Sequence, residues 1–347
     1  MQWVEAGLVP DPAVRFAIRR LCLARLRQES AGGAAAIAAR KGKLAEALAT
    51  GPIAVNTSDA NTQHYEVPAA FYERVLGRFR KYSSGYWPAG VDDLDSSEEA
   101  MLELSAERAG VEDGQRILDM GCGWGSMSLF LAEKLPNAQI LGVSNSASQR
   151  EFIMGQAKER GFKNLEIVTC DINTFAPSGQ FDRIVSIEML EHVRNYRELF
   201  KRMARWLTDG GFAFVHIFCH KTVAYPFEVD GDNDWMARHF FTGGMMPSVD
   251  FFSHFDEDLQ VAEQWLVPGT HYERTSNAWL KELDAHKAEL MPVLSATYGA
   301  DQAELYFHRW RLFFLACAEL FGLRRGTEWI VAHYRLRPSA AEASAVA

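Results

Sequence analysis

Between Arg116 and Phe218 the chain alternates short apolar runs with segments of helical period, and this alternation restricts the fold more than any other feature. The runs Arg116–Met120, Gln139–Val143, Leu165–Cys170, Phe181–Ile187 and Phe212–Phe218 are too short for buried helices. Met127–Lys134, Ser148–Arg160 and Tyr196–Leu207 fall between them with the spacing of helices. Strands separated by helices imply a doubly wound, mostly parallel sheet covered on both faces. Val261–Val267 and Glu328–Leu336 add two strand candidates, for seven in all.

The first of these runs ends in Leu118-Asp119-Met120-Gly121-Cys122-Gly123-Trp124-Gly125, after which a helix begins. Glycines there let a ligand approach the backbone, and the helix start offers free N–H groups. The spacing is GxGxG, with an acid two residues before the first glycine, and differs from the GxGxxG of nicotinamide enzymes. A second cluster, Glu188-Met189-Leu190-Glu191-His192, follows the fourth strand. Open α/β sheets bind ligands at the carboxyl ends of their strands, so both clusters fall on the ligand side.

The remainder of the chain reads as additions to this sheet. Val14, Ala17, Ile18, Leu21, Cys22 and Leu26 recur at helical spacing after Pro10 and Pro12, as in an outer helix packed on the core. Gly51 to Thr62 is small and polar, the composition of a linker. The aromatic-rich stretch from His220 to His254 is too long for a plain connection and suits a cap or pocket wall. Trp279 to Gly322 is mostly helical in pattern, and Ser339–Ala347 reads as a disordered tail. The expected division is a helical and covering segment over 1–105, a core over 106–338 with a cap inserted at about 220–322, and the tail over 339–347.

Charge and cysteine usage exclude several function classes. A formal net charge of −9 disfavours nucleic acid as a partner. Five scattered cysteines, none in CxxC spacing, point to a reducing cytoplasm and to no metal. No apolar run reaches the roughly 20 residues of a bilayer span, and no signal peptide opens the chain, so stable membrane association is not expected. A homodimer is compatible with all of this.

The glycine loop resembles that of class I S-adenosylmethionine-dependent methyltransferases, which implies a Rossmann-like fold and that cofactor, with S-adenosylhomocysteine as its product. Together with Tyr82-Ser83-Ser84-Gly85-Tyr86-Trp87 and Gly142-Val143-Ser144-Asn145-Ser146-Ala147-Ser148-Gln149, it is similar to the cyclopropane fatty acid synthase superfamily. The resemblance implies cofactor contacts from Tyr82, Ser83, Asp119, Gly121, Gly123, Gly125, Ser144, Asn145, Gln149, Asp171 and Ile172. Ser186–His192 with Asn195-Tyr196, Phe214–Thr222, Phe240–Ser248, Trp265–Tyr272 and Arg311–Phe314 resemble the coclaurine N-methyltransferase branch more closely. That likeness implies a small amine substrate, such as a tetrahydroisoquinoline, with Glu191 and His192 orienting and deprotonating it and Glu188 assisting. Tyr65, Ser84, His216, Tyr272, Trp310, Phe313 and Phe314 are the implied substrate-side residues, and His64 is a further candidate for covering the site.

The chemistry suits such groups. An amine in water is mostly protonated, and a carboxylate or imidazole within hydrogen-bond reach can free its lone pair for attack on a sulfonium methyl. The alternative is alkene methylation on an acyl chain, which in this superfamily uses a bound bicarbonate. Its ligand positions correspond to Ser84, Glu191, His216 and Tyr272, with Ser84 standing where that branch has cysteine.

Overall fold

In the computed structural model, which describes residues 2–55, 67–228 and 235–339, seven strands form one sheet. They are β1 (Arg116–Met120), β2 (Gln139–Ser144), β3 (Leu165–Thr169), β4 (Phe181–Ile187), β5 (Leu207–His220), β6 (Leu259–Val267) and β7 (Trp329–Pro338). Their order across the sheet is β3-β2-β1-β4-β5-β7-β6. The first five pair in parallel, and β7 runs antiparallel to both β5 and β6. All seven expected strands are present. β5 begins at Leu207 rather than Phe212, because Leu207 already pairs with Phe181 ahead of a register irregularity.

Burial explains why the apolar runs become strands. Ile117, Leu118 and Met120 of β1, with Ile184 and Val185 of β4, are inaccessible because helices cover both faces. Three of the covering helices, Leu94–Ala109, Ala147–Glu159 and Tyr196–Trp206, start on capping side chains. Asp93 accepts from Ser96 N, Ser146 from Gln149 N and Asn195 from Glu198 N, each of which satisfies an otherwise orphaned donor. Chain order reverses between β1 and β4, which opens a crevice at their carboxyl ends.

The N-terminal helix Asp11–Glu29 packs on the long helix Ala303–Gly322. Val14, Ile18, Cys22 and Leu26 face inward, whereas Ala17 and Leu21 of the expected apolar stripe are exposed. Arg15 and Arg19 both reach Glu319 at 2.9 Å, so part of the basic face is spent on packing this helix down.

The expected linker is tied to the core at its start. Ile53 is 2% exposed, its carbonyl accepts from Arg194 N and Asn195 N, and Ala54 bridges to Val193. The rest of that stretch, with His64 and Tyr65, lies outside the described residues. Ser339, expected to begin a disordered tail, is buried, with its N–H on Asp258 O and its hydroxyl on Glu257 O. Residues 340–347 lie outside the described residues.

The aromatic-rich stretch does more core packing than a cap would. Phe251, Phe252 and Phe255 surround Tyr196, and among the described residues of this stretch Thr242 and Gly243 line the crevice. Among the described residues no helix is long and apolar enough to cross a membrane.

One close backbone crossing ties the helices after β6 to β7. Gly269 donates to Gly326 O at 2.9 Å, and a Cβ there would overlap the carbonyl oxygens of Trp329 and Phe321. Because backbone on both sides cannot give way, Gly269→Ala is expected to destabilise the protein by about 2–3 kcal/mol. Urea unfolding checks this, and a loss below about 0.5 kcal/mol would show that the crossing relaxes.

Candidate active site

The crevice between β1 and β4 is lined by the glycine loop, the ends of β2 and β4, and the segment before Ser84. Gly121, Gly123 and Gly125 all have positive φ, at 80°, 53° and 81°. A Cβ on Gly121 would lie 2.5 Å from Met189 Cγ, and one on Gly125 would lie 2.6 Å from Ile153 Cγ1. A Cβ on Gly123 would meet nothing within 4 Å and would project into open space. Two glycines therefore permit packing behind the loop, while the third keeps the loop's face clear for a ligand.

Of the residues implied for the cofactor, Tyr82, Ser83, Asp119, Gly121, Gly123, Ser144, Asn145, Gln149 and Ile172 line this crevice. Gly125 and Asp171 do not. Gly125 lies under the loop against Ile153, and Asp171 accepts from the N–H and side-chain amide of Asn173, which in turn holds Ala54. The side chain of Gln149 is fixed by Ser144, whose hydroxyl donates to Gln149 Oε1 at 2.6 Å. That leaves Gln149 Nε2 buried with no partner among the described residues. An orphaned buried donor beside a cleared glycine loop fits a polar ligand with acceptor groups, as the ribose and carboxylate of S-adenosylmethionine supply. Asp119 accepts from Ser128 Oγ at 2.6 Å, and burial pushes its carboxyl up to about 6, with that hydrogen bond opposing.

At the far end of the crevice stands Glu188. It directly follows β4 with φ at 47°, a left-handed conformation that is strained for a non-glycine residue. Its N–H donates to His216 O at 2.8 Å, which holds the backbone there. Three donors meet on its carboxylate. Ser84 N–H reaches Oε1 at 3.0 Å, His216 Nε2 lies 3.2 Å from Oε1, and the Tyr272 hydroxyl donates to Oε2 at 2.7 Å. Burial raises the proton affinity of Glu188, while Lys81, Tyr272 and Ser84 oppose this.

Of the four positions implied for an anion site, Ser84, His216 and Tyr272 come together on the Glu188 carboxylate, and Glu191 is not among its partners. Glu191 does not line the crevice. Its Oε1 accepts from Phe218 N at 2.7 Å, and Oε2 is buried with no partner among the described residues. Burial, reinforced by the Glu188 charge, pushes its carboxyl well above the usual range. The left-handed turn at Glu188 explains the difference, because it takes Glu188 out of register with the short helical turn Leu190–His192. The hydrogen bonds of Ser84, His216 and Tyr272 are thereby taken up by a carboxylate of the chain itself.

His192 does line the crevice, with its ring stacked on Phe241 at 4.8 Å and 19°. Burial pulls its pKa down to about 4, against the Glu188 charge, so the imidazole is neutral at pH 7. Trp310, Phe313 and Phe314 lie one layer back. Trp310 packs 6.4 Å from the crevice-lining Tyr82, and Phe313 stacks on Phe240 at 4.4 Å.

Sequence reasoning missed Lys81, Arg80, Trp124, Met189, Thr242 and Gly243. Lys81 is fully buried and donates to Ser83 Oγ at 2.5 Å and Ser84 O at 2.8 Å. Burial lowers its ammonium to about 8, while Glu188 and Glu98 hold it up. Trp124 lies inside the glycine motif, Met189 inside the Glu188–His192 cluster, and Thr242 and Gly243 inside the Phe240–Ser248 segment, but no role was drawn from those positions. Arg80 and Lys81 come from a loop without periodicity.

The fold and the crevice define a class I S-adenosylmethionine-dependent methyltransferase. More narrowly, the chain belongs to the mycolic acid cyclopropane synthetase family, whose pattern matches residues 54–328. It is 36% identical to an (S)-coclaurine N-methyltransferase of Thalictrum flavum subsp. glaucum, across 95% of this chain and 92% of that protein. A crystal structure of coclaurine N-methyltransferase bound to N-methylheliamine and SAH superposes with a TM-score of 0.93, at 34% identity, covering 97% and 98% of the two chains. The cyclopropane-fatty-acyl-phospholipid synthase of Escherichia coli (strain K12) is 31% identical, over 79% of this chain and 67% of its own length.

If Gln149 Nε2 bonds the cofactor, Gln149→Ala weakens S-adenosylhomocysteine binding by about tenfold, the loss expected for one hydrogen bond. Titration calorimetry measures the constant. Unchanged binding would place the ligand elsewhere in the crevice.

Proposed function

We propose that this enzyme methylates the nitrogen of a small amine, of tetrahydroisoquinoline type. The observation that carries the reading is the presence of Glu188 and His192 together in the crevice lining. A carboxylate attracts an ammonium, and a neutral imidazole can take its proton. S-adenosylmethionine supplies the electrophilic methyl, held by the glycine loop with Tyr82, Ser83, Asp119, Ser144, Asn145, Gln149 and Ile172. Glu188 orients the amine and answers the positive charge that moves toward nitrogen. His192 accepts the proton, and Phe241 stacked behind it keeps water away and the ring aligned. Glu191 braces the turn from behind through Phe218 N.

Relatives named as amine N-methyltransferases support the substrate class, as do the bonds of Ser84, His216 and Tyr272 to Glu188, since the lipid-modifying alternative would need these residues for an exogenous anion. In this reading residues 1–105 and the stretch at about 220–322 cover a site carried by the 106–338 sheet. Five thiols outside any disulfide suit a reducing cytoplasm.

Assay of purified protein with methyl-labelled S-adenosylmethionine, cyclic amines and unsaturated phospholipid vesicles tests the reading directly. Label is expected in an amine, and label in lipid alone would overturn it. Glu188→Gln and His192→Ala should each lower kcat by about 100-fold, with the affinity for S-adenosylhomocysteine changed by less than about threefold. Equal losses in both would make the pair structural.

The pH dependence of kcat follows from His192. Its neutral form persists above a pKa of about 4, so activity is lost only as pH falls toward that value. At saturating amine the acid limb should lie below about pH 5. An inflection near the ordinary imidazole value of about 6.5 would indicate a solvated ring or a different base.

A further inference from the structure

Behind Glu188 the sheet carries a line of buried groups that the reaction as described does not use. His216 of β5 and His333 of β7 are direct partners in the antiparallel pairing, and both side chains are inaccessible to solvent. His333 Nε2 lies 3.0 Å from His216 Nδ1, and Arg108 of the helix Leu94–Ala109 places NH1 2.8 Å from His333 Nδ1. The Arg108 guanidinium sits over the Trp265 ring at 5.1 Å.

We propose that Arg108 and His333 are positioning residues that fix the tautomer of His216 and thereby hold Glu188 as a hydrogen-bond acceptor facing the transferring methyl. The direction of every bond follows from one fact: a guanidinium has donors and no acceptor. His333 Nδ1 must therefore accept from Arg108, which leaves the proton of the neutral ring on Nε2. That proton is donated to His216 Nδ1, so the His216 proton is also on Nε2, and it is donated to Glu188 Oε1 at 3.2 Å. Reversal at any point would set two donors or two acceptors face to face in a dry site, where an unsatisfied polar group is costly. Burial, together with nearby Arg108 and Lys81, keeps both rings uncharged, so neither ring competes with the amine for the Glu188 charge.

The tautomers can be read without any turnover, so this inference can fail separately from the amine reading on which its catalytic meaning rests. In protein with ¹⁵N-labelled histidine, the ring nitrogens of His216 and His333 are expected to show protonated Nε2 and bare Nδ1 from about pH 6 to 8. An Nδ1–H tautomer or an imidazolium at either ring would overturn the proposal. In the active enzyme, His333→Leu should lower kcat by about 10–100-fold, the range for loss of a tautomer-setting partner, with little change in KM. His333→Gln presents an acceptor and a donor and should restore most of it. Equal losses in Leu and Gln variants of matched thermal stability would reduce His333 to packing and overturn its positioning role.

Discussion

Everything at this site depends on keeping a carboxylate at the crevice wall with most of its surface removed from water. Glu188 is inaccessible enough that an unsupported charge there would be costly, and the fold surrounds it with donors from separated parts of the chain. Ser84 arrives from the segment before the first sheet helix, His216 from β5 and Tyr272 from the helix Thr270–Ala285. Lys81, fully buried nearby, adds a positive charge. The strained backbone at Glu188 is the local cost of pointing the carboxylate at this meeting point, and the surrounding packing maintains it.

That arrangement also separates the roles of two glutamates only three positions apart. Glu188 is turned toward the crevice and well supplied with donors. Glu191 is turned toward β5, holds one backbone N–H, and is driven toward its neutral form. A pair of close carboxylates sharing one dry region titrates apart for this reason, because the first charge disfavours the second. Burial raises both carboxyls here, and the Glu188 charge pushes Glu191 further up, while Lys81, Tyr272 and Ser84 hold Glu188 down.

The sheet was legible because parallel strands buried on both faces leave apolar runs such as Phe212–Val215, and the glycine loop because its conformation demands glycine. The convergence on Glu188 was partly legible: Ser84, His216 and Tyr272 were singled out together and Glu188 was a site candidate, but the bonds that join the three to Glu188 were not expected. Spacing cannot reveal a single left-handed residue that rotates one side chain away from its neighbour. His333 left no trace, since its meaning arises from pairing with His216, 117 positions earlier, across strands joined by the helical excursion. Lys81 and Arg108 are likewise defined by what they touch across the fold.

The most direct test is a crystal structure of the enzyme with S-adenosylhomocysteine and an amine substrate bound together. The account predicts the cofactor over the glycine loop and the amine nitrogen within hydrogen-bond distance of Glu188 or His192. An amine seated away from both, or Glu188 released from Ser84, His216 and Tyr272 with its carboxylate turned out of the crevice, would contradict it.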